Sequence, residues 1–594
     1  MFRPIDDYAL LSDLHSAALV SKAGSVDWFC PGRFDAPACF AALLGTAENG
    51  RWLIAPSSDE VSVERHYQPD TLVLETVFTT PAGKVRLTDV MPLSDNTCHL
   101  IRVVEGVSGK VPMRSLCVPR FTYGRDKPAT ESVSQGQVLF HCGDDQLLLT
   151  YEDATLSLDD EATAAHAEFE VAAGEQHCFA LTYSHADEKL PEPPNAQQEI
   201  SKCAQWWKDW ISQCTYHGRW EEHVKRSLIT LKAMTYEPGG GMVAAITTSL
   251  PEVPGGEANY DYRYCWIRDA AFALKVLLNA GYRKEACAWR DWLLEAVHQH
   301  DSHMHALYGI DGAVIDYENE LDWLPGYADS KPVRSGNAAS DQYQLDLRGE
   351  LMEVLHLARD HGLDLSGDIW QLQCKILESL EEHWHKPDEG IWEFRTIHDH
   401  LTHSKVLSWT AFDLCIRDAE KHGLDGPIDH WKRIRKEIRE DVLKHGVHAE
   451  GGYFTQRYGS DNVDASLLMI PLVEFLPADD PRMKATITAI EKELVSGGLV
   501  RRYRVGDQAN EEGKFLPCCF WLVDNYWLMG RREEAEEMFK HLLSLCNDVG
   551  LLSEEWDPHN HQLLGNFPQG LSHLALISSA RLIATGSPEA VTLT

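Results

Sequence analysis

Lys189-Leu190-Pro191-Glu192-Pro193-Pro194-Asn195 separates two parts of the chain that follow different hydrophobic periods. Three prolines and two charges within seven residues carry no apolar periodicity, which is the composition of a boundary between domains. On the N-terminal side, from about residue 60 to residue 185, apolar residues alternate with polar ones. Leu72-Val73-Leu74-Glu75-Thr76-Val77-Phe78, the turn signal Pro81-Ala82-Gly83-Lys84 and Val85-Arg86-Leu87-Thr88-Asp89-Val90 predict a hairpin. Further strands are predicted from Gln146 to Tyr151, after Gly143-Asp144-Asp145, and from Glu168 to Tyr183. Repeated hairpins of this kind predict an antiparallel β-sandwich over residues 1–190.

Beyond the boundary the period becomes 3.6. Phe272, Val276 and Ala280 share one face of a predicted helix that Gly281 ends, and Trp289, Trp292, Leu293 and Ala296 share one face of the next. Twelve such segments run over 220–236, 269–280, 284–299, 342–361, 368–385, 404–421, 427–445, 463–475, 480–493, 517–529, 531–546 and 570–585. Paired helices without a fixed repeat predict an (α/α)6 barrel rather than a solenoid. The expected layout is thus a sandwich (1–190), a linker with the first helix (191–240) and the barrel (241–594). The polar segment from about 300 to 341 is too long for a passive connection, so it is expected to belong to a site.

At 594 residues and 44% hydrophobic, the chain has material for two sizeable cores. Its 54 Lys and Arg against 91 Asp and Glu give a net charge of −37, which repels phosphate backbones and anionic bilayers and suits a neutral small-molecule substrate. Acidic residues stand where a secretory signal would carry an apolar core, and no apolar run is long enough to span a bilayer, so a cytoplasmic location is expected. The fifteen cysteines lack CxxC pairing and are expected to be reduced. His298, His300, His303 and His305 lie close together, but without a helical i, i+4 pair next to an acid they are expected in a solvated loop and no metal site is predicted. The oligomeric state is not legible.

Tyr262-Arg263-Tyr264-Cys265-Trp266-Ile267-Arg268-Asp269 places an arginine, a carboxylate and aromatics at the entrance to a helix. A pyranose stacks its C–H faces on aromatic rings and presents hydroxyls that both donate and accept, so this is sugar-binding chemistry; a buried ion pair under an aromatic cluster is the structural alternative. Three further loops are rich in aromatics, glycine and charge: residues 326–337, residues 390–395 and residues 552–558. Two of these put a glutamate beside tryptophan, an environment that raises a carboxyl pKa and suits proton donation.

Tyr262 to Asp269, Trp392-Glu393 and Ser553-Glu554 resemble the motifs of glycoside hydrolase family 15, which unites glucoamylases, bacterial trehalases and isomaltose or dextran glucohydrolases. The resemblance extends to Ile5-Asp6-Asp7-Tyr8-Ala9-Leu10, Gly24-Ser25-Val26-Asp27-Trp28 and Arg33-Phe34-Asp35. It implies that Arg268 and Asp269 hold hydroxyls of the terminal glucose, that Tyr262, Trp266 and Trp392 line its pocket, and that Lys331 and Arg334 are basic sugar contacts. It also implies Glu393 as general acid and Glu554 as general base, with Glu555 beside the substrate as the adjacent alternative for the base. Glu320 is a further candidate, as a helper at the pocket rim. The implied mechanism is single displacement with inversion, its carboxyls roughly 6.5–9.5 Å apart, with no metal or organic cofactor. The expected activity is exo-acting hydrolysis of short soluble α-glucosides, namely trehalose, maltooligosaccharides or isomaltose, releasing β-D-glucose. A disaccharide phosphorylase and a catalytically silent sugar-binding protein are the alternatives.

Overall fold

The computed structural model describes residues 2–93, 97–152, 156–298, 304–363, 367–504 and 512–591. The N-terminal part is antiparallel and is organised by one 21-residue strand, Cys98–Val118. Its first half pairs with Gly83–Val90 and Gln176–His185; its second half pairs with Arg51–Pro56 and Ala165–Ala172. It is therefore shared by two sheets. Gly106 lies at the crossing, where a Cβ would stand 2.0 Å from the carbonyl oxygen of Ala172. Gly106, Gly109 and Pro112 read as breakers in sequence, so this strand escapes a pattern search. The stretch expected as one strand from 168 to 183 forms two, Ala165–Ala172 and Gln176–His185, turning at Gly174 with φ +85°.

Tyr8–Ser12, Ala17–Ser21 and Ser25–Cys30 are buried at every position. They lie against the helical part, where Trp28 Nε1 donates to the Ile246 carbonyl (2.8 Å) and Ser12 Oγ to the Ala233 carbonyl (2.7 Å). A strand covered on both faces has no polar side to alternate with, so the period-two signal starts only near residue 60.

The α-helices beyond residue 190 are α1 (Ala196–Ile211), α2 (Glu221–Ala233), α3 (Ile267–Asn279), α4 (Arg283–His298), α5 (Asp346–Asp360), α6 (Gly367–His383), α7 (Thr402–His422), α8 (Ile428–His445), α9 (Met469–Leu472), α10 (Pro481–Glu493), α11 (Leu516–Leu528), α12 (Arg532–Leu543) and α13 (Gly570–Thr585). Two corrections to the sequence reading follow. Helix α1 is additional, so residues 191–240 hold two helices; Asn195, the last boundary residue, caps it by accepting from the Gln198 amide at 3.0 Å. The segment expected as a helix over 463–475 is a 3-10 turn, Ala465–Leu468, followed by the single turn α9.

Helix α3 packs on α5, α5 on α7, α7 on Ala465–Leu468 and α9, Ala465–Leu468 on α11, α11 on α13, and α13 returns to α3. Helices α4, α8 and α12 each lie on their neighbour in that ring, α3, α7 and α11. Burial follows the arrangement. Helix α7 is buried nearly all round, whereas α8 buries only Trp431, Ile434, Ile438 and Val442, one stripe at helical spacing. Among the described residues no helix is long and apolar enough to cross a membrane.

Candidate active site

A cleft opens where the connections between helices meet at α3. The approach to α3 is extended, with Trp266 at φ −88° and ψ 140° in the position just before the helix. Tyr262 and Trp266 face the cleft. Arg263 points away, into the N-terminal part, donating to Asp261 (2.6 and 2.8 Å), the Ala36 carbonyl (2.9 Å) and the Tyr123 hydroxyl (2.8 Å). The motif thus divides its work: one set of side chains builds the cleft and the other ties α3 to the sheets. Arg268 and Asp269 complete this wall from the first turn of α3, where the helix dipole favours a carboxylate.

Glu393, from the loop between α6 and α7, and Glu554, from the loop between α12 and α13, also line the cleft. Each is held by an aromatic donor. Trp266 Nε1 donates to Glu393 Oε1 at 2.7 Å, and the Tyr262 hydroxyl donates to Glu554 Oε1 at 2.7 Å. The two rings, 5.3 Å apart between centroids, join the carboxylates into one constellation. The Arg268 guanidinium stands 3.6 Å from Glu393 and donates to the Ile391 carbonyl at 3.0 Å. Gly565, at φ +74°, makes room for Glu554; a Cβ there would lie 2.6 Å from Glu554 Oε2.

Burial, reinforced by the charge of Glu252, pushes the Glu554 carboxyl up to about 8, against the pull of Arg502 and the Tyr262 hydrogen bond. Burial likewise pushes Asp269 up to about 6, with Arg268 opposing. Asp269 Oδ1 is buried at the cleft wall with no hydrogen-bond partner in the protein, which leaves an acceptor for a ligand hydroxyl.

Trp392 lines the cleft as well, its Nε1 donating to Asp464 at 2.8 Å. Three residues of the expected site are not brought there. Glu555 begins the strand Glu555–Asp557, so it projects opposite to Glu554, fully buried beside Arg502 (3.7 Å) and against Gly513. Arg334 is occupied elsewhere: it donates to the Glu257 and Asn259 carbonyls (3.0 and 2.8 Å) and covers the Tyr260 ring. Lys331 is exposed and outside the lining. The 326–337 loop instead braces the approach to Tyr262, since Gly336 N and Asn337 Nδ2 donate to Asp261 (3.1 and 3.2 Å). Glu320 is exposed; Glu318, on the same short strand, is the acid that pairs with Arg395 (2.7 Å) and Arg334 (3.4 Å). His305 Nδ1 donates to the Ser340 carbonyl (2.9 Å), while His300 and His303 lie outside the described residues.

Arg502, Phe515, Trp521 and Gln569 line the cleft without having been singled out in sequence. Arg501-Arg502-Tyr503 has the same mixture of arginine and aromatic as the other loops, and that signal could have found it. Arg502 is gripped by Glu252, by Glu512 at 2.6 Å and, more loosely, by Glu555. Among the described residues two groups of three side chains are close enough to share a metal ion, this carboxylate trio and His356 with Asp360 and Asp418. Each already contacts an arginine, Arg502 in the first and Arg359 in the second. All fifteen cysteines are free thiols.

The model of glycosyl hydrolases family 15 matches residues 218–581, the helical part and every cleft-lining residue named above. The chain belongs to glycosyl hydrolases family 15. It is accordingly a glycoside hydrolase, as the sequence motifs imply. A trehalase-like N-terminal domain matches residues 2–207, which takes in the sheets and most of α1. The trehalase of Mycolicibacterium smegmatis is 36% identical over an alignment covering 99% of this chain and 92% of its own, and that of Thermoplasma volcanium is 35% identical, covering 97% and 93%. A bacterial glucoamylase solved in complex with acarbose superposes with a TM-score of 0.72 at 11% identity, covering 99% of this chain and 96% of that one; this family 15 member therefore shares its sheet-plus-helix fold.

Proposed function

We propose that this family 15 hydrolase is an α,α-trehalase that acts by inversion. The observation that carries the reading is the paired constellation of Glu393 on Trp266 and Glu554 on Tyr262, facing one cleft with Arg268 and Asp269. Trehalose is favoured over other α-glucosides because relatives named trehalases align along nearly the whole chain. The ring of helices supports an (α/α)6 barrel as the catalytic domain, with the cleft at one end. Free thiols throughout suit a reducing compartment such as the cytoplasm.

Arg268 and Asp269 bind hydroxyls of the nonreducing glucose, and the rings of Tyr262, Trp266 and Trp392 pack against it. Glu393 protonates the glycosidic oxygen while Glu554, ionised, removes a proton from water on the opposite face, so the new C1–O bond has β configuration. The raised pKa makes Glu554 a strong base but limits how much of it is ionised at neutrality. The purified protein is to be assayed with trehalose, maltose, maltotriose and isomaltose, with and without phosphate. Fastest release of free glucose from trehalose is expected. Glucose 1-phosphate as product would refute hydrolysis, and faster cleavage of maltose or isomaltose would refute the choice of substrate.

A further inference from the structure

Glu393 has φ +55°, in the left-handed region that a residue with a Cβ rarely enters because the Cβ crowds the following carbonyl oxygen. Such a conformation persists only where the surroundings impose it. Three side chains hold the loop. Arg268 Nη1 donates to the Ile391 carbonyl at 3.0 Å and belongs to the cleft itself. The other two stand behind it. Gln342 Nε2 donates to the carbonyl of Glu393 at 3.1 Å, and its orientation is set by Gln344, whose Nε2 donates to Gln342 Oε1 at 2.9 Å. Asp464, 2% exposed, accepts the Trp392 indole N–H at 2.8 Å and is itself fixed by Ser466 Oγ (2.8 Å) and Gln456 Nε2 (3.4 Å).

We propose that Gln342 and Asp464 are positioning residues that hold the Glu393 backbone in its left-handed conformation from both sides and so aim the proton donor at the glycosidic oxygen. The inference rests on Glu393 being the general acid. Neither residue lines the cleft, so neither binds the sugar. Their loss should therefore be felt only where the leaving group needs a proton.

α-D-Glucosyl fluoride supplies the test, because fluoride departs without protonation whereas the glucose leaving trehalose does not. The kcat and KM of Gln342→Ala, Asp464→Ala, Asp464→Asn and Glu393→Gln are to be measured on both substrates. Gln342→Ala and Asp464→Ala are expected to lower kcat on trehalose by about 10²-fold, as a displaced catalytic group does, and Glu393→Gln, which removes the acid, by about 10²–10⁴-fold, all with KM little changed and the fluoride turned over nearly as fast as before. Asp464→Asn, which retains an acceptor for Trp392, should recover most of the loss. Should Asp464→Ala fail to fold, Trp392→Phe removes the donor of the same bond and should show a greater loss on trehalose than on the fluoride. Equal losses on both substrates, or none on either, in Gln342→Ala and Asp464→Ala would overturn the inference while a selective loss in Glu393→Gln left the acid assignment standing. If Glu393→Gln also failed to spare the fluoride, the assignment and the inference would fall together.

Discussion

Tyr262→Phe isolates the proton balance of Glu554. The substitution removes one oxygen and leaves the ring in place. The lost hydrogen bond is 2.7 Å long and partly buried, and it favours the ionised carboxylate. A hydrogen bond to a charged acceptor is worth about 1.5–3 kcal/mol, which corresponds to about 10- to 10²-fold in the ionisation equilibrium. Since Glu554 already sits near 8, above the usual carboxylate range, the ionised base is the minor form at pH 7. Activity should rise with pH as this group loses its proton. Without the tyrosine hydroxyl the acid limb of kcat/KM moves to higher pH, and the value at pH 7 falls by about 10- to 10²-fold with recovery under more alkaline conditions. Glu252→Gln, which removes the neighbouring negative charge, should move the same limb to lower pH. The assay is a pH series of initial rates on trehalose for the three proteins. If Tyr262→Phe left the limb where it was, or if both variants moved it in the same direction, Glu554 would not be the base whose ionisation governs the rate.

Glu393→Gln and Glu554→Gln should each lower turnover of trehalose by about 10²–10⁴-fold with unchanged melting behaviour, while Glu555→Gln, whose side chain faces Arg502, keeps most of its turnover; steady-state rates and thermal melts of the three decide this. Gly565→Ala should lose about 1–2 kcal/mol of stability to the strained backbone and also lose activity, because its Cβ meets the Glu554 carboxylate; denaturant melts and rates measure the two effects. Early proton NMR of the anomeric region should show α- and β-glucose in equal initial amounts from trehalose, since only the attacked glucose inverts, whereas α-glucose alone would exclude inversion.

The sequence by itself determined the two-part fold and most of the cleft. Alternation up to residue 185, the proline-rich boundary and the 3.6 period beyond it are local properties, and they survive into the sheets and helices because each element buries the face its own pattern marks. Tyr262, Trp266, Arg268, Asp269, Trp392, Glu393 and Glu554 were singled out through the resemblance of their motifs to family 15, since the residue types alone left a sugar site and a buried ion pair both open. Where burial comes from partners distant in the chain, the local pattern fails. The strands between Tyr8 and Cys30 are covered on both sides, and Cys98–Val118 keeps its course through Gly106 and Pro112 because two sheets hold it. Tertiary structure alone decided which neighbour of a doublet faces the cleft. Glu554 and Glu555 are indistinguishable as residues, and only the extended chain entering Glu555–Asp557 sends them to opposite sides. It alone brought Arg502 to the cleft and took Arg334 away, since each guanidinium goes to carboxylates or carbonyls contributed by remote segments. Gln342 and Asp464 likewise acquire a role only from the loop they meet in space, about 50 and 70 residues away from Glu393 along the chain.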